Sequence, residues 1–387
     1  MIRSQLARAS MTAMLLATAM GASAGSDANG QPPYRFDFGD GPVAPSYIGV
    51  RAEDAYTPEK GYGFNTPEHM SNVPASGTGT DSDAVRFLQF GTKSTNTFNV
   101  DLKLGLYRIS VTLGNTSRAT VAAEGVYQVL NLTGNNATDA FEIPITDGQL
   151  NLLVTEGKAG TAFTLSALEI KRVSPKPETS PTIWVGGDST VASYYPLATS
   201  AQGGWGQLLA DHVDLRAHQV RNIATGGQIA RGFRDGGQLE TIVKYAKPGD
   251  LFLLEMGIND TNPKNETTEA QFKEIMRDMV RQVAATGARP VLVTPQGRAT
   301  DFNAEGVHSA TGRWYRRATL ALAQEENVAL VDLNVLSSAY FTQIGREATL
   351  ELYMPGDSLH PNRAGAAELA RLVAEDLERQ QIRVAAH

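Results

Sequence analysis

A serine, a histidine and an aspartate stand in short segments of the sequence where they could together catalyse acyl transfer. The segment WVGGDSTVAS places Ser189 directly after an apolar run, and the segment MPGDSLHPNRAG places Asp357 three residues before His360. A serine hydroxyl is a poor nucleophile at neutral pH unless a base accepts its proton. Asp357 could accept the Nδ1 proton of His360 and fix the ring tautomer, which leaves Nε2 to act as that base. We therefore predict that Ser189, His360 and Asp357 form the catalytic proton-transfer chain.

Acyl transfer also needs hydrogen-bond donors that face the developing oxyanion. The candidates are the N–H of Ser189, the N–H of Gly227 in ATGGQIAR and the side-chain amide of Asn259 in MGIND. Each such donor is typically worth about 3–4 kcal/mol in the transition state. Gly226 is adjacent to Gly227 and could take its place, and Asn259 with Asp260 could instead form an Asx turn. We predict that Gly227 and Asn259 form the oxyanion hole, with Asp260 as a supporting hydrogen-bonding residue.

Four residues beside these segments allow more than one interpretation. Gly186 and Gly187 precede the serine, and we expect them to clear space around the reacting carbonyl, because a glycine lets the backbone approach a substrate closely. Trp205 in GGWGQ is expected to be a packing residue rather than a platform for a sugar. Arg231 could bind a uronate carboxylate or form a surface ion pair.

The elements that must position these residues are predicted strands and helices from Ile183 onward. Apolar strands alternate with helical stretches, a pattern that indicates an α/β fold with a doubly wound, three-layer parallel sheet. The clearest helix is EAQFKEIMRDMVRQVAATG, and another is predicted from about residue 364 to 380, with Asn362 as its N-cap. Because Ser189, Gly227 and Asn259 follow the first three strands, we expect them at one edge of the sheet.

The N-terminal half has a different periodicity. Residues 33–173 contain short alternating segments such as GLYRISVTLG and FTLSALEIKRV, separated by Gly, Asn and Asp. Evenly spaced short strands predict an all-β sandwich or jelly roll. SPKPETSP, residues 174–181, is predicted to be a stiff linker, and residues 182–387 the catalytic domain.

Composition restricts the classes of function. The chain has 387 residues, 42% of them hydrophobic and 19% charged, which is typical of soluble globular proteins. A formal net charge of −7 argues against nucleic acid as a partner. The absence of cysteine excludes disulfides and thiolate chemistry. The sequence lacks the metalloprotease, phosphate-binding and dinucleotide motifs, so we expect no metal and no cofactor, and we expect a monomer.

The first residues have the layout of a secretory signal peptide. Arg3 and Arg8 precede an apolar stretch that ends at Ala22-Ser23-Ala24, which predicts cleavage after residue 24. A membrane anchor is the alternative, but the stretch is short and rich in Ala and Thr. We therefore expect a secreted or periplasmic protein with no membrane span once the signal peptide, residues 1–24, is removed.

Four segments together resemble a known family. GGDST, the glycine of ATGGQIAR, GIND and DSLH are similar, in order and character, to the four conserved blocks of the SGNH (GDSL-type) hydrolases, over about residues 182 to 380. The resemblance implies Ser189 as nucleophile, Gly227 and Asn259 as oxyanion-hole residues, and Asp357 with His360 as the rest of the triad. It also implies catalysis without a cofactor.

Within that superfamily the segments GDSTVA, GGWGQLLA and NIATGGQIARGF are most similar to the rhamnogalacturonan acetylesterases, which remove acetyl groups from pectin backbones. One departure is Ile258, where that family often has histidine. The N-terminal segment YRFDFGDGPVAPSYIGVRAEDAYTPEKGYGF resembles a galactose-binding-like β-sandwich.

The expected protein is an exported serine esterase that deacetylates a plant polysaccharide, acetylated rhamnogalacturonan first. One alternative is an esterase that acts on another acetylated glycan, on lipid or on small esters. A second alternative is a glycan-binding protein whose β-sandwich binds the ligand and whose hydrolase half is only a scaffold.

Overall fold

The chain forms a β-sandwich followed by a parallel sheet covered by helices on both faces. The computed structural model describes residues 34–77, 79–88, 96–155 and 164–382. The predicted signal peptide lies outside these ranges. Within them, no helix has the length and apolar character needed to cross a membrane.

The sandwich consists of a seven-stranded and a five-stranded sheet. The strands are β1 (Tyr34–Phe38), β2 (Ile48–Val50), β3 (Tyr62–Phe64), β4 (Met70–Val73), β5 (Ala84–Phe87), β6 (Phe98–Asp101), β7 (Gly105–Leu113), β8 (Thr116–Ala123), β9 (Val126–Gly134), β10 (Thr138–Ile145), β11 (Gln149–Thr155) and β12 (Thr164–Ser174). The first sheet has the order β10-β7-β12-β1-β2 with β5 and β4 branching from β12, and the second has the order β3-β6-β11-β8-β9. All pairs are antiparallel except β1 with β2.

The sandwich is held together by the inward-facing apolar residues of both sheets. Phe98 of the five-stranded sheet lies edge-on to Phe36 and Phe38 of the other, with ring centroids 5.1 and 4.9 Å apart. Edge-to-face aromatic pairs add about 0.5–1.5 kcal/mol beyond the area that they bury. The two sheets therefore share one core that forms without disulfides.

The second half is a five-stranded sheet with the order β14-β13-β15-β16-β17, parallel throughout. Its strands are β13 (Thr182–Gly186), β14 (Gln219–Asn222), β15 (Leu251–Glu255), β16 (Arg289–Val293) and β17 (Ala329–Val331). The helices are α1 (Trp205–Leu208), α2 (Ala230–Asp235), α3 (Gln238–Tyr245), α4 (Glu269–Ala284), α5 (Arg316–Glu325), α6 (Leu333–Ile344), α7 (Arg346–Glu351) and α8 (Arg363–Arg379). Three 3-10 turns cover Pro67–His69, Leu209–His212 and Pro263–Asn265.

Alternate residues of the parallel strands point to two separate cores. Ile183 and Val185 pack with α1, α6 and α8 on one face, whereas Trp184 packs with α2 to α5 on the other. A parallel sheet with both faces covered reads as continuous apolar runs, as these strands do. The predicted α/β fold with three layers, preceded by an all-β sandwich, is confirmed.

Two of the predicted helices begin directly after a residue whose side chain caps the first turn. In α4 the Thr268 hydroxyl accepts from the Gln271 N–H and the Gln271 side chain accepts from the Thr268 N–H, which is a complete capping box. In α8 the Asn362 side chain accepts from the Gly365 N–H, so the predicted N-cap is confirmed. This cap matters for the site, because the loop that carries Asp357 leads directly into α8.

The sandwich packs against the edge strand β14, against α3 and against the loops that follow β13 and β14. Arg221 of β14 lies with its guanidinium 4.6 Å from the ring centroid of Trp184 and donates to Gln128 of β9. The Tyr195 hydroxyl, from the loop after β13, donates to Asp139 of β10 at 2.6 Å. The β-sandwich therefore borders the edge at which the predicted catalytic residues lie.

Candidate active site

The turn that carries Ser189 begins at the end of β13, and its two glycines are required by packing. A Cβ at Gly186 would lie 2.6 Å from the Phe233 ring, and a Cβ at Gly187 would lie 2.4 Å from Val191 Cγ2. Real Cβ atoms do not approach this closely. The expectation that these glycines clear space around the reacting carbonyl is wrong, because protein side chains occupy that space. They instead let β13 pass close under α2 and let the chain reverse at Ser189.

The structure brings Ser189, His360 and Asp357 into one hydrogen-bonded row. Ser189 Oγ lies 2.9 Å from His360 Nε2, although the two residues are 171 positions apart in sequence. His360 Nδ1 lies 2.6 Å from Asp357 Oδ2. In this row the carboxylate accepts the Nδ1 proton, so Nε2 presents its lone pair to the serine hydroxyl. This geometry can transfer a proton from serine to imidazole.

Asp357 is held by its own loop as well as by the imidazole. Its Oδ1 accepts the N–H groups of Leu359 and His360, at 2.7 and 3.1 Å, so that Oδ2 remains for the ring. Burial alone raises the pKa of this carboxyl, but these hydrogen bonds and the one to the imidazole together lower the pKa of Asp357 below its ordinary value. The carboxylate is therefore ionised at neutral pH and can stabilise an imidazolium.

Two backbone N–H groups are available at the predicted oxyanion site. Among the residues that the structure describes, neither the N–H of Ser189 nor that of Gly227 has an acceptor. Gly227 is exposed, has φ +76° and has open space where a Cβ would lie, so only glycine fits this backbone without strain. The role of Gly227 as an oxyanion donor remains a prediction that this geometry permits.

Asn259 lies in the loop after β15 and is the third donor predicted for the oxyanion site, but its amide protons already have acceptors in the protein. Nδ2 donates to Gln228 O at 3.0 Å and to Asp188 Oδ2 at 3.3 Å. The longer bond is the one that an oxyanion would replace, since it is near the upper limit for a hydrogen bond. Asp260 has the supporting position predicted for it, because its Oδ1 accepts the Ala230 N–H at 2.9 Å at the start of α2.

A pair of buried carboxyl groups, Asp188 and Glu255, lies behind Ser189, and sequence reasoning did not identify it. Thr190 Oγ1 lies 3.0 Å from Asp188 Oδ1 and 2.7 Å from Glu255 Oε1. Trp205 Nε1 donates to Glu255 Oε2 at 2.8 Å. Trp205 is fully buried, which agrees with the packing role predicted for it. The available signal was a glutamate inside the apolar strand LFLLE, a position where an unpaired charge is costly.

Burial changes the protonation of both carboxyl groups. Burial raises the pKa of Asp188 to about 6. Burial and the neighbouring charge of Asp188 raise the pKa of Glu255 to about 8. At neutral pH Glu255 is therefore predominantly a neutral acid, which can donate its proton to Thr190 while its other oxygen accepts from Trp205.

Relative to the unchanged protein, the Glu255→Gln variant should become more stable as pH rises. The folded protein keeps the Glu255 proton up to about pH 8, whereas a glutamate with the ordinary pKa of 4.5 has lost it in the unfolded chain. Between these values unfolding releases a proton, so this group lowers the free energy of unfolding as pH rises, by at most about 1.4 kcal/mol per pH unit. Glutamine can reproduce the neutral hydrogen-bond pattern and removes this slope.

The measurement is urea unfolding of Glu255→Gln and of the unchanged protein at several pH values from 5 to 8. We expect the difference in free energy of unfolding, variant minus wild type, to increase steadily over this range. Glu305→Gln, at an exposed glutamate, is the matched control and should give a constant difference. A constant difference for Glu255→Gln as well would mean that this glutamate is ionised in the folded protein.

Arg231 is exposed on α2, and among the described residues it has no carboxylate within 4.0 Å. The ion pair proposed for it from the sequence is therefore not formed with those residues. In the described ranges, no group of three or more histidine and carboxylate side chains is arranged to hold a metal ion.

Comparison with known proteins gives two family matches that divide the chain where its two halves meet. Residues 34–171 match a family described as β-agarase/YXIM esterase-like, galactose-binding domain-like. Residues 185–368 match the GDSL-like lipase/acylhydrolase family.

Two relatives come from Bacillus subtilis. The uncharacterized esterase YxiM is 67% identical over 349 residues, which cover 90% of this chain and 91% of YxiM. A probable rhamnogalacturonan acetylesterase, YesY, is 35% identical over 204 residues, which cover 51% of this chain and 92% of YesY. The crystal structure of YxiM superposes with a TM-score of 0.89 and covers 90% of this chain and 99% of that one.

Proposed function

The chain belongs to the GDSL-like lipase/acylhydrolase family and is a carboxylic ester hydrolase, and from this premise we propose that it removes O-acetyl groups from pectic polysaccharide outside the cytoplasm. The observation that carries the proposal is the row formed by Ser189, His360 and Asp357. Beside it lies the N–H of Gly227, which has no acceptor among the described residues. Serine, imidazole and carboxylate in this order are sufficient for acyl transfer without a metal or cofactor.

In the proposed reaction Ser189 Oγ attacks the acetyl carbonyl carbon while its proton moves to His360 Nε2. The carbonyl oxygen becomes an oxyanion, which accepts from the N–H groups of Ser189 and Gly227 and from the amide of Asn259. As the tetrahedral intermediate collapses, the bond to the sugar oxygen breaks and the imidazolium protonates that oxygen. Water, deprotonated by His360, then attacks the acetyl-serine, and acetate leaves as Ser189 recovers its proton.

The substrate class is supported by the relatives and by the layout of the chain. YesY is named a probable rhamnogalacturonan acetylesterase, and RhgT, a rhamnogalacturonan acetylesterase from Bacillus subtilis, is 30% identical over 210 residues. A galactose-binding-like sandwich ahead of the hydrolase half suits a carbohydrate polymer. The predicted signal peptide supports export, to the medium or the periplasm, since such a polymer does not enter a cell.

The proposal is tested by acetate release from a panel of acetyl esters. The panel contains acetylated rhamnogalacturonan, acetylated xylan, triacetin and a long-chain p-nitrophenyl ester. We expect kcat/KM on rhamnogalacturonan to exceed that on every other member by about tenfold or more, which corresponds to about 1.4 kcal/mol of transition-state binding. Acetate release from xylan but not from rhamnogalacturonan would contradict the pectic substrate and indicate a neutral glycan instead.

A further inference from the structure

A bulge in the β-sandwich directs one arginine toward the catalytic half. Arg118 in β8 and Asn131 in β9 have φ of 56° and 63°, and the pairing of the two strands shifts register between Thr116 and Ala119. The Arg118 N–H donates to Thr133 Oγ1 at 2.9 Å instead of to a strand carbonyl. A left-handed conformation strains a non-glycine residue, and bulges commonly re-aim a side chain near a site.

The re-aimed side chains bind the loop that carries Gly227. Arg118 Nη2 donates to Gly226 O at 3.0 Å. Thr225 Oγ1 donates to Asn131 Oδ1 at 2.6 Å, and Asn131 Nδ2 donates to Ala224 O at 3.4 Å. Three consecutive loop residues are therefore hydrogen-bonded to the sandwich.

Arg118 also lies close to the nucleophile. A Cβ built on Gly226 would be 3.8 Å from Arg118 Nη2 and 3.9 Å from Ser189 Cβ, so the guanidinium and the serine flank the same glycine. Arg118 and Gly226 also line a cavity of about 340 Å³, within the range of small-ligand sites, which borders the segment that follows Ser189. The cavity is lined in part by Arg118, Asn131, Tyr194, Tyr195 and Gln202.

Arg118 forms no ion pair with the residues that the structure describes. Within the described ranges, no carboxylate lies within 4.0 Å of its guanidinium, although the chain as a whole carries a net charge of −7. By contrast, Arg277 on α4 pairs with three glutamates. A guanidinium has five N–H donors, and the bond to Gly226 O uses one of them. The others are available to an anion in the cavity.

We propose that Arg118 is a substrate-binding residue that holds a carboxylate of an acidic sugar in the acetylated substrate. The β-sandwich then completes the substrate site of the esterase and makes it selective for an acidic glycan. A guanidinium suits this role because its planar donors match a carboxylate bidentately. The inference rests on the proposed function, in that it assigns a charge to the substrate of that site.

The test compares acetate release from two matched oligosaccharides. One is acetylated and contains galacturonic acid, and in the other each carboxylate is converted to a neutral carboxamide. The readout is the kcat/KM for the acidic substrate divided by the kcat/KM for the neutral one. A variant that merely disturbs the Gly226 loop lowers both values alike and leaves this ratio unchanged. We expect Arg118→Gln to lower this ratio about 10- to 100-fold, the range for one charge-assisted contact. Arg118→Lys should retain part of the preference.

Two further variants separate this proposal from its rivals. Arg289→Gln, at an exposed position at the start of β16, should leave the ratio unchanged. Arg231→Gln tests the exposed arginine on α2 that could bind a uronate carboxylate instead. A ratio that falls with Arg231→Gln and not with Arg118→Gln would overturn the proposal, as would a wild-type protein with no preference for the acidic substrate.

An inhibition measurement distinguishes failure of this inference from failure of the proposed function. If neither oligosaccharide releases acetate, unacetylated oligogalacturonate is tested as an inhibitor of p-nitrophenyl acetate hydrolysis, with its carboxamide form beside it. Stronger inhibition by the acidic form, lost in Arg118→Gln, supports the anion site although the acetyl substrate is a different one. Equal inhibition by both forms contradicts the anion site itself.

Discussion

Replacing Ser189 with alanine should lower kcat for p-nitrophenyl acetate by about 10⁶-fold, to near the background rate. The variant removes the only atom that forms the acyl bond, and loss of the serine in a well-studied protease costs about that much. The fold should persist, because the lost hydroxyl contacts His360 at the mouth of the site rather than a buried group. The measurement is steady-state hydrolysis together with a thermal melt, whose midpoint should move by no more than a few degrees.

A fluorophosphonate probe gives an independent readout of the same residue. It should label the unchanged protein and Ser309→Ala, a matched substitution at an exposed serine, but not Ser189→Ala. Labelling of Ser189→Ala, or activity within tenfold of wild type, would assign the nucleophile to another residue. An unchanged protein that the probe does not label would favour the glycan-binding scaffold.

Replacing Asp357 with asparagine should lower kcat by about 10⁴-fold, the loss known for the same change in a serine protease. Oδ1 of Asp357 accepts two backbone N–H groups, so an asparagine oxygen must take that position. The amide nitrogen then faces His360 Nδ1 and donates to it. The ring proton is forced onto Nε2, which presents a donor to Ser189 where a base is needed.

The experiment on Asp357→Asn measures kcat and the melting temperature together. Asp40→Asn, at an exposed aspartate, controls for the charge change and should keep full activity. Because asparagine preserves the loop hydrogen bonds, the melting temperature of Asp357→Asn should stay close to wild type. A loss of activity smaller than tenfold would show that the imidazole keeps its tautomer without this carboxylate.

The parallel sheet was predictable because its signals are local. The alternation of apolar strands with amphipathic helices, the helix faces and the Asn362 cap depend on residues close together in sequence. Placing Ser189, Gly227 and Asn259 at one edge needed only the rule that parallel strands end at the same side. His360 and Asp357 were identified by their spacing and by the family resemblance.

The features that could not be predicted from the sequence depend on contacts between segments that are distant in sequence. The bulge at Arg118 is defined by its pairing with β9 and by the docking of the sandwich on the Gly226 loop, which is 108 residues away. The buried Glu255 is visible in LFLLE, but its pKa follows from Asp188 and from complete burial. The reason for Gly186 also lies in a residue distant in sequence, Phe233 on α2.

The order of the parallel strands has a consequence for how such an enzyme diversifies. From β13 the chain turns to the face covered by α1 and α8, whereas from the adjacent β15 it turns to the face covered by α4. The two departures leave a crevice at this topological switch point, with Ser189 on one side and Asn259 on the other. Its floor is fixed by the strand ends, while its walls are loops and an added domain. Evolution can therefore reshape the walls for new substrates and leave the residues at the strand ends unaltered.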